Sequence, residues 1–227
     1  MRQGPRPEGW RRTVFLVGRL VYLQETGFIV ATPSVSVPPR RPARQLLLDA
    51  AARLFYAQGV TATGIDTITS EAGVAKKSLY NNFASKAELV TAYLEVRHGE
   101  WLALYSKRME TAASAGDGVL AVFDSYLHHA NFAYVHGFRG CGLLNAAAEL
   151  PAGHPGRLAV RQHKEEVEGL LAQHLVELLP DEQERAAELA RHLSFLLEGA
   201  MARAGLEGSD DRLQDARAIA MRMLEDL

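Results

Sequence analysis

The sequence predicts an all-α protein, with a three-helix, helix-turn-helix unit near the N-terminus and a larger helical body behind it. Three observations carry this. From residue 43 onward, apolar residues recur at the three- and four-residue spacings with which a helix presents one face. Within that pattern, residues 63–86 (TGIDTITSEAGVAKKSLYNNFASK) read as two short helices joined at Ala72-Gly73-Val74, with a polar face left over. Finally, 48% hydrophobic but only 7% aromatic residues over 227 positions fit a helix-rich chain long enough to bury a sizeable core.

Residues 1–42 break with the rest, combining a short apolar stretch, a β-prone stretch and a Pro-rich end without an amphipathic pattern. They are expected to form a disordered or weakly ordered arm, with Arg40, Arg41 and Arg44 able to touch DNA near the first helix. Arg11-Arg12 ahead of Thr13-Val14-Phe15-Leu16 is not read as an export signal, because Arg19 ends the apolar run. The missing pattern also leads us to expect a native start at Val35 or Val37.

The first helix spans 43–58, with Leu46, Ala50 and Leu54 on one stripe, Leu47, Ala51 and Phe55 on its neighbour, and Gly59 ending it. In the hairpin, Ile65, Ile68 and Ala72 share one face, Leu79 and Phe83 another, and Gly73 supplies the left-handed turn between them. Ser85-Lys86-Ala87-Glu88 is a capping box that opens a long helix over 85–109. A break at 116–118 precedes a helix over 119–135, and a second break at 137–142 precedes a short helix over 143–150. Further helices are expected over 156–179, 181–206 and 211–227, with Gly208-Ser209-Asp210 between the last two.

The polar face of the third helix carries Lys77, Ser78, Tyr80 and Asn81, with Lys76 in its first turn. The lysines can neutralise phosphates or reach guanine acceptors, Asn81 can pair with an adenine edge, and Ser78 and Tyr80 can bond phosphate oxygens. Lys86 and the amides at the start of the long helix offer a second phosphate clamp. Thr63 is expected to cap the second helix and bond phosphate as well.

The stretch LFYAQGVTATGIDTITSEAGVAKKSLYNNFASKAELV, within residues 44–95, resembles the DNA-binding region of the TetR (tetracycline repressor) family. The shared pieces are a first helix ending in Phe-x-x-x-Gly, a Thr before the second, Ala-Gly-Val at the turn, then Leu-Tyr-x-x-Phe and Ser-Lys. Gly64 stands where the family usually has Ser or Thr, Thr69 where a small Ala is usual, and Lys77 where Gly is common. The resemblance implies a DNA-binding unit over 43–88 and an effector-binding and dimerisation body over 89–227. It further implies that the last two helices pair with those of a second copy, through Leu189, Leu193, Leu196, Leu197, Ala200 and Met201. Dimerisation also suits DNA reading, because two half-sites a helical turn apart double the contacts of one recognition helix.

Buried aromatics beside a few polar groups suit a small molecule, so Trp101, Tyr105, Phe123, Tyr126, Cys141, Asn145, Glu149 and His163 are the effector-site candidates. Cys141 is the only cysteine, which rules out an intrachain disulfide; Arg139 is the one evident neighbouring cation for a redox role. His129 and His136, with His163, outline a possible metal-responsive variant, although no metal or cofactor is expected. No G-x-S-x-G, P-loop, G-x-G-x-x-G or H-E-x-x-H occurs, so no enzyme is expected.

The net charge of −2 conceals a division. Residues 1–39 carry five Arg against two acids, 40–86 seven basic residues against three acids, and 87–227 thirteen against twenty-two. A basic head on an acidic body fits nucleic-acid contact at one end. No apolar run is long enough to span a membrane, and a reducing cytoplasm is the expected location. The expected function is therefore a homodimeric repressor released from operator DNA by a small effector; the alternative is a helical interaction module that has lost DNA binding.

Overall fold

The computed structural model describes the backbone of residues 10–16, 19–24 and 29–30, and the whole of residues 42–131 and 137–227. It divides into two units, Met1–Arg40 and Arg41–Leu227. In the first, β1 (Trp10–Leu16), β2 (Arg19–Gln24) and β3 (Ile29–Val30) form an antiparallel sheet in that order. Val14 lies opposite Val21, Leu16 opposite Arg19, and Tyr22 opposite Val30. Within the arm expected to be disordered or weakly ordered, these three segments pair as a ladder, which their β-branched and aromatic residues favour. Val35, Val37, Arg40 and Arg41 lie outside the described residues.

Helices are the regular elements among the second unit's described residues. Its helices are α1 (Ala43–Gln58), α2 (Ile65–Ala72), α3 (Lys76–Asn82), α4 (Lys86–Met109), α5 (Ala115–Ala130), α6 (Gly142–Ala148), α7 (Pro155–Leu178), α8 (Gln183–Glu207) and α9 (Asp211–Glu225). Gly73 ends α2 at φ 64°, and its N–H reaches back to the Ser70 and Thr69 carbonyls, which allows the sharp turn into α3. Ser85 caps α4 by accepting the Glu88 N–H at 3.1 Å, while the Glu88 carboxylate takes the Ala84 N–H at 2.6 Å. At 24 residues, α4 runs about 36 Å from the α2–α3 hairpin into the body.

Both boundaries of the helix expected over 119–135 are corrected: it ends at Ala130, with Asn131 as C-cap, and it starts earlier than expected. The glycines at 116–118 do not break the chain; α5 begins at Ala115, because Ser114 and Asp117 form a capping box. The acid's pKa is lowered chiefly by the Ser114 hydroxyl bond. At Gly118 the missing side chain admits His174, whose ring atoms lie 2.3 Å from where a Cβ would stand.

Two apolar cores form. Leu47, Ala51 and Phe55 of α1, Ile68 of α2, Leu79 of α3, and Leu89 and Tyr93 of α4 build one. Leu143 and Ala146 of α6 and Val160 of α7 belong to the same core. The other joins α4, α5, α7, α8 and α9 around Phe123, Leu171, Leu193 and Leu213. Cys141 packs against both.

Candidate nucleic-acid interface and buried cavity

Leu79, fully buried, and Phe83, 2% exposed, anchor α3 from below, so helical geometry turns the opposite face outward. Lys76, Lys77, Tyr80 and Asn81 are exposed there, with Tyr80 at 52%, while Ser78 and Lys86 are half-buried. Lys76 also holds Asp66 at 2.9 Å, and that carboxylate keeps the ammonium above the usual lysine range. Lys86 points its ammonium at the Thr61 carbonyl, 3.4 Å away. Arg44 is exposed and places its guanidinium 5.2 Å from the centre of the Phe83 ring.

Thr63 does not behave as expected. Gly64, without a side chain, occupies the N-cap position of α2, and Thr63 is fully buried. Its hydroxyl donates to the Gly59 carbonyl at 2.6 Å, tying the end of α1 to the start of α2 and leaving nothing for phosphate. Thr69, where a small residue was looked for, is satisfied by its bonds to the Ile65 and Asp66 carbonyls.

Behind this face lies a cavity of about 350 Å³. Of the effector-site candidates, Trp101, Tyr126, Cys141 and His163 line it. The remaining nominees have other employment. Phe123 is fully buried in the body core, and Tyr105 stacks on Trp101 while its hydroxyl meets His174 at 2.6 Å. Asn145 donates its amide to the Arg139 carbonyl. Glu149 accepts the Val60 and Thr61 N–H groups at 3.1 and 2.7 Å. Desolvation pushes the Glu149 carboxyl up, but those bonds and Lys86 outweigh it and hold the pKa below its ordinary value.

Sequence reasoning missed the cavity's other wall. Tyr56 and Arg53 come from α1 and Tyr93 and Arg97 from α4, so the helix that braces the α2–α3 hairpin forms part of the enclosure. It also missed the clasp beside it. Arg139 donates to the Tyr56 and Ala57 carbonyls at 2.8 Å, and the Tyr56 hydroxyl accepts the Arg139 N–H and donates to the Gly140 carbonyl. Gly140, at φ 78°, lies so close to α8 that a Cβ on Gly205 would meet its nitrogen at 2.6 Å.

Lys164, 23 residues from Cys141, was invisible as its neighbour. Its buried ammonium bonds Glu198 at 2.6 Å and Tyr126 at 3.1 Å and stands 3.6 Å from the Cys141 sulfur. His163 and His129 are both kept neutral, their pKa values lowered to about 3 and about 4. Burial is the larger cause, followed by Lys164 for the first and Arg97 for the second. No group of three possible metal ligands occurs among the described residues, and His136 lies outside them.

The nominated dimer face is corrected as well. Leu193, Leu197 and Met201 are 0–2% exposed and Leu189 is 9% exposed, all within the chain's own body core. Met201 also lines the cavity. Periodicity marks a buried stripe without saying which surface covers it, and here α7 and α9 do. Leu196 and Ala200 are half-exposed, whereas Phe195 (66%) and Leu206 (85%) lie open on α8.

An outward basic and amide-bearing second helix of a helix-turn-helix, set on a helical body, defines a DNA-binding regulator. Residues 47–93 match the family model for bacterial regulatory proteins of the tetR family. A TetR-family transcriptional regulator from Streptomyces coelicolor is similar over 82% of this chain and 95% of its own, at 31% identity and TM-score 0.74. A putative TetR-type regulator from Streptomyces avermitilis is similar over 81% and 96%, at 30% identity and TM-score 0.66. The chain belongs to the TetR family of transcriptional regulators. The HTH-type transcriptional activator FasR of Mycolicibacterium smegmatis is 47% identical over 60 residues, 26% of this chain. That match spans 27% of the relative's length.

Proposed function

We propose that the protein is a homodimeric, operator-binding repressor whose grip on DNA is released by a small molecule in the cavity. Lys76, Lys77, Ser78, Tyr80 and Asn81 read the major groove, with Arg44 and Lys86 on flanking phosphates. The carrying observation is that α1, the brace of the reading hairpin, and α4, which leaves it, both wall the cavity. A ligand filling that space therefore works against the reader's geometry, so occupancy and operator binding oppose each other. Such coupling requires the ligand to prefer the displaced arrangement.

Division near residue 88 into a reading unit and a regulatory body follows from this. Two connections carry the coupling: α4 itself, and α6, whose start lines the cavity while Glu149 at its end holds the loop between α1 and α2. The dimer face is placed on the open side of α8 around Phe195 and Leu206, alongside Ile219 of α9. Cytoplasmic location follows from a DNA target, and no described helix is long and apolar enough to cross a membrane.

The test is selection of DNA fragments by the purified protein, followed by footprinting. Two protected half-sites a helical turn apart are expected; a dimer that shifts no fragment at moderate salt would replace this reading with the interaction module.

A further inference from the structure

The walls of the cavity also specify what it holds, granted the regulatory reading above. Arg97 and Trp101 lie one turn apart on the same face of α4, and both line the cavity. The Arg97 Nε and the Trp101 indole nitrogen are buried, and neither N–H has an acceptor. The other end of the Arg97 guanidinium is engaged by Glu100, so the unmade bond belongs to Nε alone. Unpaired buried donors are rare, and two on adjacent turns of one cavity wall call for an acceptor from outside the chain.

Charge narrows the acceptor further. Among the described residues the lining carries two guanidiniums, Arg53 and Arg97, against one carboxylate, Asp49; Glu71 and Glu100, outside the lining, hold the outer edges of the two guanidiniums. Among the described residues of the wall, His129 and His163 are neutral at pH 7 and add no cation of their own. The remaining lining mixes aromatic with small and aliphatic residues, with the Trp101 ring 5.5 Å from Tyr126 and 5.4 Å from His163. We infer that the cavity binds a hydrophobic organic carboxylate of one or two rings, whose oxygens accept from the Arg97 Nε and the Trp101 indole. A carboxylate supplies two acceptors, and its bond to the guanidinium Nε is charge-assisted and so of the strong kind.

Calorimetric titration of the full chain with 2-naphthoate, 2-naphthamide and 2-naphthylmethylammonium separates charge from shape. The naphthoate is expected to bind at least ten-fold more tightly than the amide, with the ammonium weakest. Arg97→Lys keeps the charge and removes the Nε donor, and should weaken naphthoate at least five-fold. Trp101→Phe keeps a ring without the indole N–H and should do likewise, thermal melting of each variant confirming that it is folded. If Trp101→Phe does not fold, Arg97→Lys decides alone. Equal or tighter binding of the amide or the ammonium, binding of none of the three, or an unchanged naphthoate affinity in Arg97→Lys overturns the inference. Operator binding measured without ligand is read separately, so its loss would refute the regulatory reading while the order of ligand affinities still judges this one.

Discussion

Replacing Glu149 by Gln should uncouple the body from the reading unit at a defined cost. The carboxylate accepts two backbone N–H groups, from Val60 at 3.1 Å and Thr61 at 2.7 Å, in the turn between α1 and α2. Bonds to a charged acceptor contribute about 1.5–3 kcal/mol each when well shielded. Glu149 is exposed, so solvent screening brings the pair down to a total of about 2 kcal/mol. The amide retains one oxygen and turns an NH2 toward the donors, so most of that total is lost. Urea unfolding at pH 7 should therefore show a fall of about 1–2 kcal/mol at unchanged m-value. The folded pKa lies below the ordinary value, so this contribution is present above the unfolded carboxyl pKa and is lost as pH falls through the folded one. Wild type and variant should thus converge in acid. A loss below about 0.5 kcal/mol at pH 7, or a difference that persists in acid, would refute the reasoning.

The four other predictions use independent sites. Thr63→Val removes a buried hydroxyl and strands the Gly59 carbonyl; a loss of about 1–2 kcal/mol is expected, with the salt slope of operator binding unchanged, whereas a flatter slope would return Thr63 to the phosphate contacts. Lys77→Ala should weaken binding to all sequences and reduce the salt slope by about one, while Asn81→Ala should change base preference at one position per half-site, as fragment selection would show. Because His129 and His163 titrate at about 4 and about 3 when folded but near 6.5 when unfolded, the unfolded chain binds more protons between those values. Stability should fall as pH drops from about 6.5 toward 4, by up to about 3 kcal/mol for each histidine, and urea midpoints that stay flat over that range would contradict their burial. Phe195→Asp should convert a dimer to a monomer in sedimentation equilibrium without changing the helical circular dichroism; an unchanged dimer would place the interface elsewhere.

What the sequence disclosed follows the range of the interactions. Gly73 and the Ser85–Glu88 box are settled by residues within four positions of each other, and both were readable in advance. The Ser114–Asp117 box was equally local but was overridden in the reading by two glycines, a reminder that a satisfied cap tolerates Gly in the first turn. Leu193 and Leu197 gave the correct period and the wrong destination, since covering by α7 or by a second copy produces the same stripe. The cavity was only half visible. Trp101 and Tyr126 announce themselves as aromatics, but the approach of Tyr56, Arg97 and Lys164 depends on how α1, α4 and α7 cross, which no local pattern encodes.

The core beneath the reading helices is completed by Leu143 and Ala146 of α6 and Val160 of α7. Excised at residue 88, the N-terminal segment would lose these together with Leu89, Val90, Tyr93 and Leu94 of α4, leaving Phe55 without the Tyr93 ring it packs against, so it is a poor unit for transplantation. Chimeras that exchange DNA specificity between such regulators should carry the short sixth helix along with the head, or graft only the outward residues of α3 onto an intact host.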